Sequence, residues 1–151
     1  MIMGNMLELV LDNIAHGGEA IGRHGGKAVF VPYAIPGERV RVEIVEEKER
    51  WARARLVEVL APSPDRVEPP CPFFGPEKCG GCQWQHIAYE RQAELRQEIV
   101  ADQLRRLGRI TDPPVADIIA LADPEGDEGP VYLDYSYRNQ IEFAITPEGQ
   151  T

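Results

Sequence analysis

Cysteine is almost missing from this chain: three occur in 151 residues, and all fall between positions 71 and 82. So sparse, odd and clustered a set does not make a disulfide framework. The N-terminus, Met1-Ile2-Met3-Gly4-Asn5, lacks the basic stretch and small-residue cleavage site of a secretory signal. Both features point to a reducing compartment, the cytoplasm. Long apolar runs are lacking as well. None approaches the roughly 18–20 residues of a membrane span, so no membrane partner is expected. Basic residues are scarce at one end only. Residues 111–151 hold Arg138 against nine acids, which accounts for −8 of the overall −9. Residues 1–60 carry eight Lys/Arg against nine Asp/Glu, and 61–110 carry seven of each. The acidity is therefore local, and it does not exclude a nucleic-acid partner for the first 110 residues.

What is present begins with strands. Leu7-Glu8-Leu9-Val10-Leu11 places leucine at every second position, as a half-buried strand does. His24-Gly25-Gly26-Lys27 reads as a tight hairpin turn, since glycine reaches positive φ at little cost. Ala28–Val31 is the returning strand. Arg39–Ile44 alternates with Val40, Val42 and Ile44 facing inward, and a further strand is expected from Arg53 to Leu60. Roughly five short strands without a helix signal suggest a small OB-like barrel over residues 1–61. Ala61-Pro62-Ser63-Pro64 to Pro69-Pro70 reads as a stiff linker. A helix is expected from Ala88 to Leu107, with Ile99, Val100, Gln103, Leu104 and Leu107 recurring on one face and Gly108 capping it. Beyond it come a Pro/Gly-rich acidic loop with a short strand near Val115–Leu121, then a strand from Tyr135 to Ile145 and a turn at 146–149. The architecture expected is an all-β barrel (1–61), a cysteine segment with one helix (62–110) and the start of an α+β central domain (111–151).

Two sets of residues carry chemistry. Cys71-Pro-Phe-Phe-Gly-Pro-Glu-Lys-Cys79-Gly-Gly-Cys82 offers three thiolates at short spacing, donors that select zinc or an iron–sulfur cluster. A tetrahedral set wants four. Either a residue such as His86 completes a zinc site of three cysteines and one histidine, or the fourth ligand lies beyond Thr151. Three buried, unliganded cysteines are the plainer alternative. The second set is Lys48, Arg50, Trp51, Arg53 and Arg55, four cations around one aromatic, the pairing that tracks phosphates and stacks bases. Against it stands a solvated loop neutralised by Glu46, Glu47 and Glu49. Arg23, His24 and Lys27 flank the glycine hairpin, and Arg91, Arg96, Arg105 and Arg106 alternate with acids along the helix.

Gly18-Glu-Ala-Ile-Gly22, Val29-Phe-Val-Pro32 and Ile35-Pro-Gly-Glu-Arg-Val40 together resemble a TRAM domain, an RNA-binding OB-like barrel. The cysteine run with Gln83-Trp84-Gln85-His86 and its helix, followed by Tyr137-Arg138-Asn139-Gln140, resembles the bacterial 23S rRNA (uracil-5)-methyltransferases. The resemblance implies an RNA partner, 23S rRNA or else tRNA, and no obligate protein partner. It implies a 4Fe–4S cluster on Cys71, Cys79 and Cys82 with a fourth cysteine outside this chain. Seven residues separate Cys71 from Cys79, one or two more than is usual there. In that family a cysteine attacks C6 of uracil, a methyl passes from S-adenosylmethionine to C5, and a carboxylate removes the C5 proton. Those groups belong to a Rossmann-like domain, and residues 1–151 contain no glycine-rich strand–turn–helix unit for the methyl donor. This chain alone is expected to be catalytically silent. The alternative from a different class is a stand-alone RNA-binding adaptor holding zinc.

Overall fold

The computed structural model describes residues 6–119, 122–123 and 131–132. The chain divides into two compact units, Met1–Glu68 and Pro69–Thr151.

In the first unit, alternating leucines give strand β1 (Met6–Ile14) its two faces: Leu9 and Leu11 are buried and Val10 is exposed. Strands β2 (Ala20–His24) and β3 (Lys27–Val31) form the expected hairpin, paired from His24↔Lys27 to Ala20↔Val31. Its turn needs positive φ at both central residues, and Gly25 and Gly26 supply it at φ 55° and 79°. Strand β4 (Arg39–Glu47) pairs antiparallel with β1, and strand β5 (Trp51–Ala61) pairs antiparallel with β4 and parallel with β3. The order β1-β2-β3-β5-β4 closes into a barrel, which leaves no unpaired edge in the sheet. Its interior is one cluster built on Leu9, Leu11, Val29, Val31, Val40 and Val42, with Ala20, Ala52 and Ala54 filling the narrow places. Each fully buried valine or leucine contributes about 1.5–3 kcal/mol over its exposed state.

Strand β5 starts two residues earlier than Arg53, where it was expected. The polar stretch shrinks to a turn in which the Lys48 N–H donates to the Trp51 carbonyl at 2.8 Å. Trp51 thereby joins the sheet. The proline-rich crossing also begins as part of this unit. Arg66 donates to the buried Glu38 carboxylate and to the Tyr33 carbonyl, and the Ser63 N–H donates to Glu38 as well.

The second unit holds helix α1 (Tyr89–Arg106), within a residue of its expected ends. Glu90 in the first turn and Arg105 and Arg106 in the last suit the helix dipole. The buried stripe differs from the expected one. Leu95 and Ala101 are buried, whereas Val100 is exposed and Leu107 is 75% exposed. Apolar recurrence signals a helix, but neighbouring elements decide which stripe is covered. Gly108 acts by its small size and not by positive φ. A Cβ there would lie 2.6 Å from the Leu104 carbonyl oxygen, and the left-handed residue is Arg109 at φ 55°. Residues 115–119 carry no strand, contrary to expectation. The pairing found is between β6 (Ala122–Asp123) and β7 (Val131–Tyr132). The expected strand from Tyr135 to Ile145, with Tyr137, Arg138 and Asn139, and the turn at 146–149 lie outside the described residues.

Candidate nucleic-acid interface and cysteine segment

Alternation over the first five residues of β5 buries Ala52 and Ala54 and turns Trp51, Arg53 and Arg55 to the outer wall of the barrel. Strand β3 runs parallel beside it with Phe30 level with Arg53. Phe30 meets Trp51 edge to face, centroids 6.2 Å apart at 79°. The Arg53 guanidinium lies over the Trp51 ring, 6.0 Å from its centroid. Two aromatic rings and a cation thus share one patch of the barrel wall. This is the arrangement on which unpaired bases stack.

The acids matter as much as the cations. Arg53 is held side-on by Glu19, with Nε to Oε1 at 3.1 Å and Nη2 to Oε2 at 3.2 Å. Arg55 is paired with Glu43, directly across from it on β4. Lys48 meets Glu46 at 3.2 Å, and Lys27 meets Glu47 at 2.7 Å. The hydrogen bond and charge of Lys27 hold the Glu47 carboxyl below the ordinary carboxylate range. Among the described residues Arg50 and Arg23 have no ion-pair partner. Of the five residues singled out in the sequence, the fold brings Trp51, Arg53 and Arg55 onto one face. Lys48 and Arg50 stand on the adjoining turn. Phe30, Glu19 and Glu43 were missed. Phe30 could have been found, because a residue between buried Val29 and Val31 must face outward. The two acids reach their arginines through strand pairings that no local pattern encodes.

In the second unit the cysteine run is folded on itself. The Phe74 N–H donates to the Cys71 carbonyl at 3.1 Å, and the Cys79 N–H donates to the Phe73 carbonyl at 3.3 Å. Lys78 closes the loop with its ammonium on the Pro72 carbonyl at 3.0 Å, and Glu77 turns the chain at φ 59°. The long spacing between Cys71 and Cys79 is thus taken up by a closed loop. Gly80 has φ 72° and open space where a Cβ would stand, so the Cys79–Cys82 step turns without crowding. Cys71 and Cys79 are half-buried and Cys82 is exposed, all as free thiols. Three thiols on one short segment are the soft donors that a cluster takes, at a Cys71–Cys79 spacing longer than usual. Among the described residues no three His, Cys, Asp or Glu side chains converge as a metal-binding group. His86 is buried and stacks on Phe74 at 5.5 Å, 29° between planes. Gln92 fastens the turn ahead of α1 by donating to the Trp84 and Ile87 carbonyls, and Arg96 covers the Trp84 ring at 5.4 Å. Two other helix cations are paired along the helix, Arg91 with Glu94 and Glu98, Arg106 with Asp102.

Residues 4–57 match the TRAM domain family. The chain is 40% identical over 152 residues to a protein of Streptomyces coelicolor named uncharacterized RNA methyltransferase, covering 99% of this chain and 33% of that protein. A protein of the same name from Streptomyces avermitilis is 39% identical over 150 residues, 97% of this chain and 35% of the relative. The chain spans about a third of the length of these curated relatives. Among solved structures, the Pyrococcus abyssi tRNA (uracil-54, C5)-methyltransferase in complex with S-adenosyl-L-homocysteine is 20% identical, with a TM-score of 0.44 over 95% of this chain and 33% of that one. Residues 4–57 thus match a TRAM domain, and nearly the whole chain is similar to about a third of proteins named RNA methyltransferases.

Proposed function

We propose that this chain is the RNA-capturing part of a cytoplasmic, S-adenosylmethionine-dependent RNA uracil-5-methyltransferase whose substrate is 23S rRNA. The observation that carries this reading is the Phe30–Trp51–Arg53 patch on the wall of a TRAM barrel. A base unstacked from its neighbours finds a ring edge, a ring face and a guanidinium there, and Arg50 on the adjoining turn meets the backbone. Such a surface holds single-stranded RNA near a catalytic site without taking part in bond making. The cysteine motif, with its resemblance to the uracil-5 enzymes, narrows the reaction class. Cys71, Cys79 and Cys82 serve in this reading as three ligands of a 4Fe–4S cluster, the fourth coming from outside the chain. The cluster would fix the loop 71–82 structurally rather than carry electrons. Methyl transfer itself belongs to the remainder of the protein, and residues 1–151 alone bind RNA without modifying it.

The test gives the full-length protein labelled S-adenosylmethionine with 23S rRNA and with tRNA, followed by nucleoside analysis. Labelled 5-methyluridine in 23S rRNA is the expected product. Label in tRNA alone would replace the substrate, and label in neither RNA, with RNA binding intact, would overturn the enzyme reading.

A further inference from the structure

The arginines that share a face with Trp51 are paired with acids seated more deeply than the other surface acids in the barrel's described ion pairs. Glu19 and Glu43 keep side-chain exposures of only 24% and 25%, while their partners Arg53 and Arg55 stand out at 48% and 54%. The other surface acids of the barrel's ion pairs, Glu8, Glu46, Glu47 and Glu58, are exposed by 41% or more. Glu43 faces Arg55 in strand register, and Glu19 grips Arg53 by two contacts on one edge of the guanidinium. These carboxylates therefore stay under the arginines when a ligand arrives, and the patch offers stacking surface with little net charge.

Charge and stacking select different RNAs. A bare cation captures any phosphate backbone, single- or double-stranded, whereas an aromatic face captures only bases that are not already stacked in a helix. Lowering the first contribution raises the relative weight of the second. We propose that Glu19 and Glu43 are specificity determinants: fixed counter-charges that stop Arg53 and Arg55 from binding RNA backbone indiscriminately and leave unpaired, stackable bases as the ligand. This inference rests on the RNA-binding reading given above. The repulsive element works against the wrong ligand at a modest cost to the right one.

The experiment measures fluorescence anisotropy of the full chain with a single-stranded RNA of about 12 nucleotides, within the range of OB-fold site sizes, and with the corresponding duplex, over a salt series. Variants are Glu19→Gln, Glu43→Gln and the pair together. Glu58→Gln, whose carboxylate shares Arg41 with Glu8, serves as a control for the loss of one surface charge. The expected result is duplex affinity raised about two- to fivefold by each of the first two, in line with the worth of an exposed ion pair. Single-strand affinity rises less, so the preference narrows. The salt slope steepens by up to roughly one ion per freed arginine, and the Glu58 control moves neither quantity. Equal gains on both RNAs, gains matched by Glu58→Gln, unchanged affinity or loss of affinity would each overturn the proposal. Binding by neither the wild type nor any variant would overturn the RNA-binding reading and this inference with it.

Discussion

Glu38 and Arg66, twenty-eight positions apart, form a two-point pair in which Nε donates to Oε1 at 2.6 Å and Nη2 to Oε2 at 2.8 Å. The Glu38 side chain has no solvent exposure, and Arg66 keeps 24%. Burial alone would raise the Glu38 pKa. Hydrogen bonds from Arg66 and the Ile35 and Ser63 N–H groups, with the charge of Arg66, outweigh burial and hold it below the ordinary carboxylate range. The pair fastens the start of the proline-rich segment, Ser63 to Arg66, to the turn ahead of β4.

Replacing Glu38 with glutamine leaves Arg66 without its counter-charge in a largely enclosed place. The expected loss is about 3 kcal/mol near neutral pH, the lower end for a broken buried pair because Arg66 retains some solvent. A carboxyl whose pKa is depressed on folding stabilises above its unfolded value of about 4.3, and that stability is lost as pH falls through the folded value. Urea midpoints of wild type and Glu38→Gln should therefore converge on acidification below about pH 4. A gap that stays constant from neutral pH into that range would refute the account.

The barrel was legible because its signals are local: leucine at alternate positions in β1, paired glycines at 25 and 26, and Val40 and Val42 on one side of β4. Its site was legible only in part. Trp51, Arg53 and Arg55 advertise themselves by residue type, but the parallel pairing of β3 with β5, which sets Phe30 against Trp51, is a long-range register without a sequence signature. Nothing near Glu38 announces a partner at position 66. Along α1 the periodicity gave the helix, yet the stripe through Leu95 is covered and the one through Val100 is not. A helix pattern specifies spacing, and the packing partner selects the face.

Gly22 and Gly25 should respond oppositely to substitution. A Cβ on Gly22 would lie 2.9 Å from the Val10 carbonyl oxygen and 3.2 Å from Leu11 Cδ2, so strand β1 must move to admit it. Gly22→Ala is expected to cost about 1–3 kcal/mol, as overpacking does. Gly25 has open space around its Cβ direction and φ 55°, which asparagine tolerates. Gly25→Asn should be close to neutral. Thermal midpoints of the two variants decide it, and the reverse order would show that hairpin geometry, not close packing of β1 on β2, limits stability.

Trp51→Ala should weaken single-stranded RNA binding by about 1–3 kcal/mol, the worth of one stacked base, with little change in salt slope. Arg50→Ala should do the opposite: a smaller loss of affinity and a salt slope shallower by about 0.7, since it removes one phosphate contact. Circular dichroism of both variants checks that the barrel is intact. If the two substitutions move affinity and slope alike, Trp51 acts only by packing on Phe30 and the stacking role is wrong.

The cysteines make the last prediction. Serine matches cysteine in shape but keeps its proton, so it cannot replace a soft thiolate on iron. In full-length protein purified without oxygen, Cys71→Ser, Cys79→Ser and Cys82→Ser should each lower iron content and the broad absorption near roughly 400 nm. His86→Ala should leave the iron in place, because His86 is stacked on Phe74. Its loss instead opens a cavity and lowers the thermal midpoint. Metal analysis beside the unfolding curve separates the cases. Stoichiometric zinc that disappears with His86→Ala would replace the cluster with a zinc site and remove the cysteine motif as support for uracil-5 chemistry. Iron lost from all three serine variants, with the midpoint falling in step, would make the loop 71–82 a metal-dependent fold, its ligands and its stability inseparable.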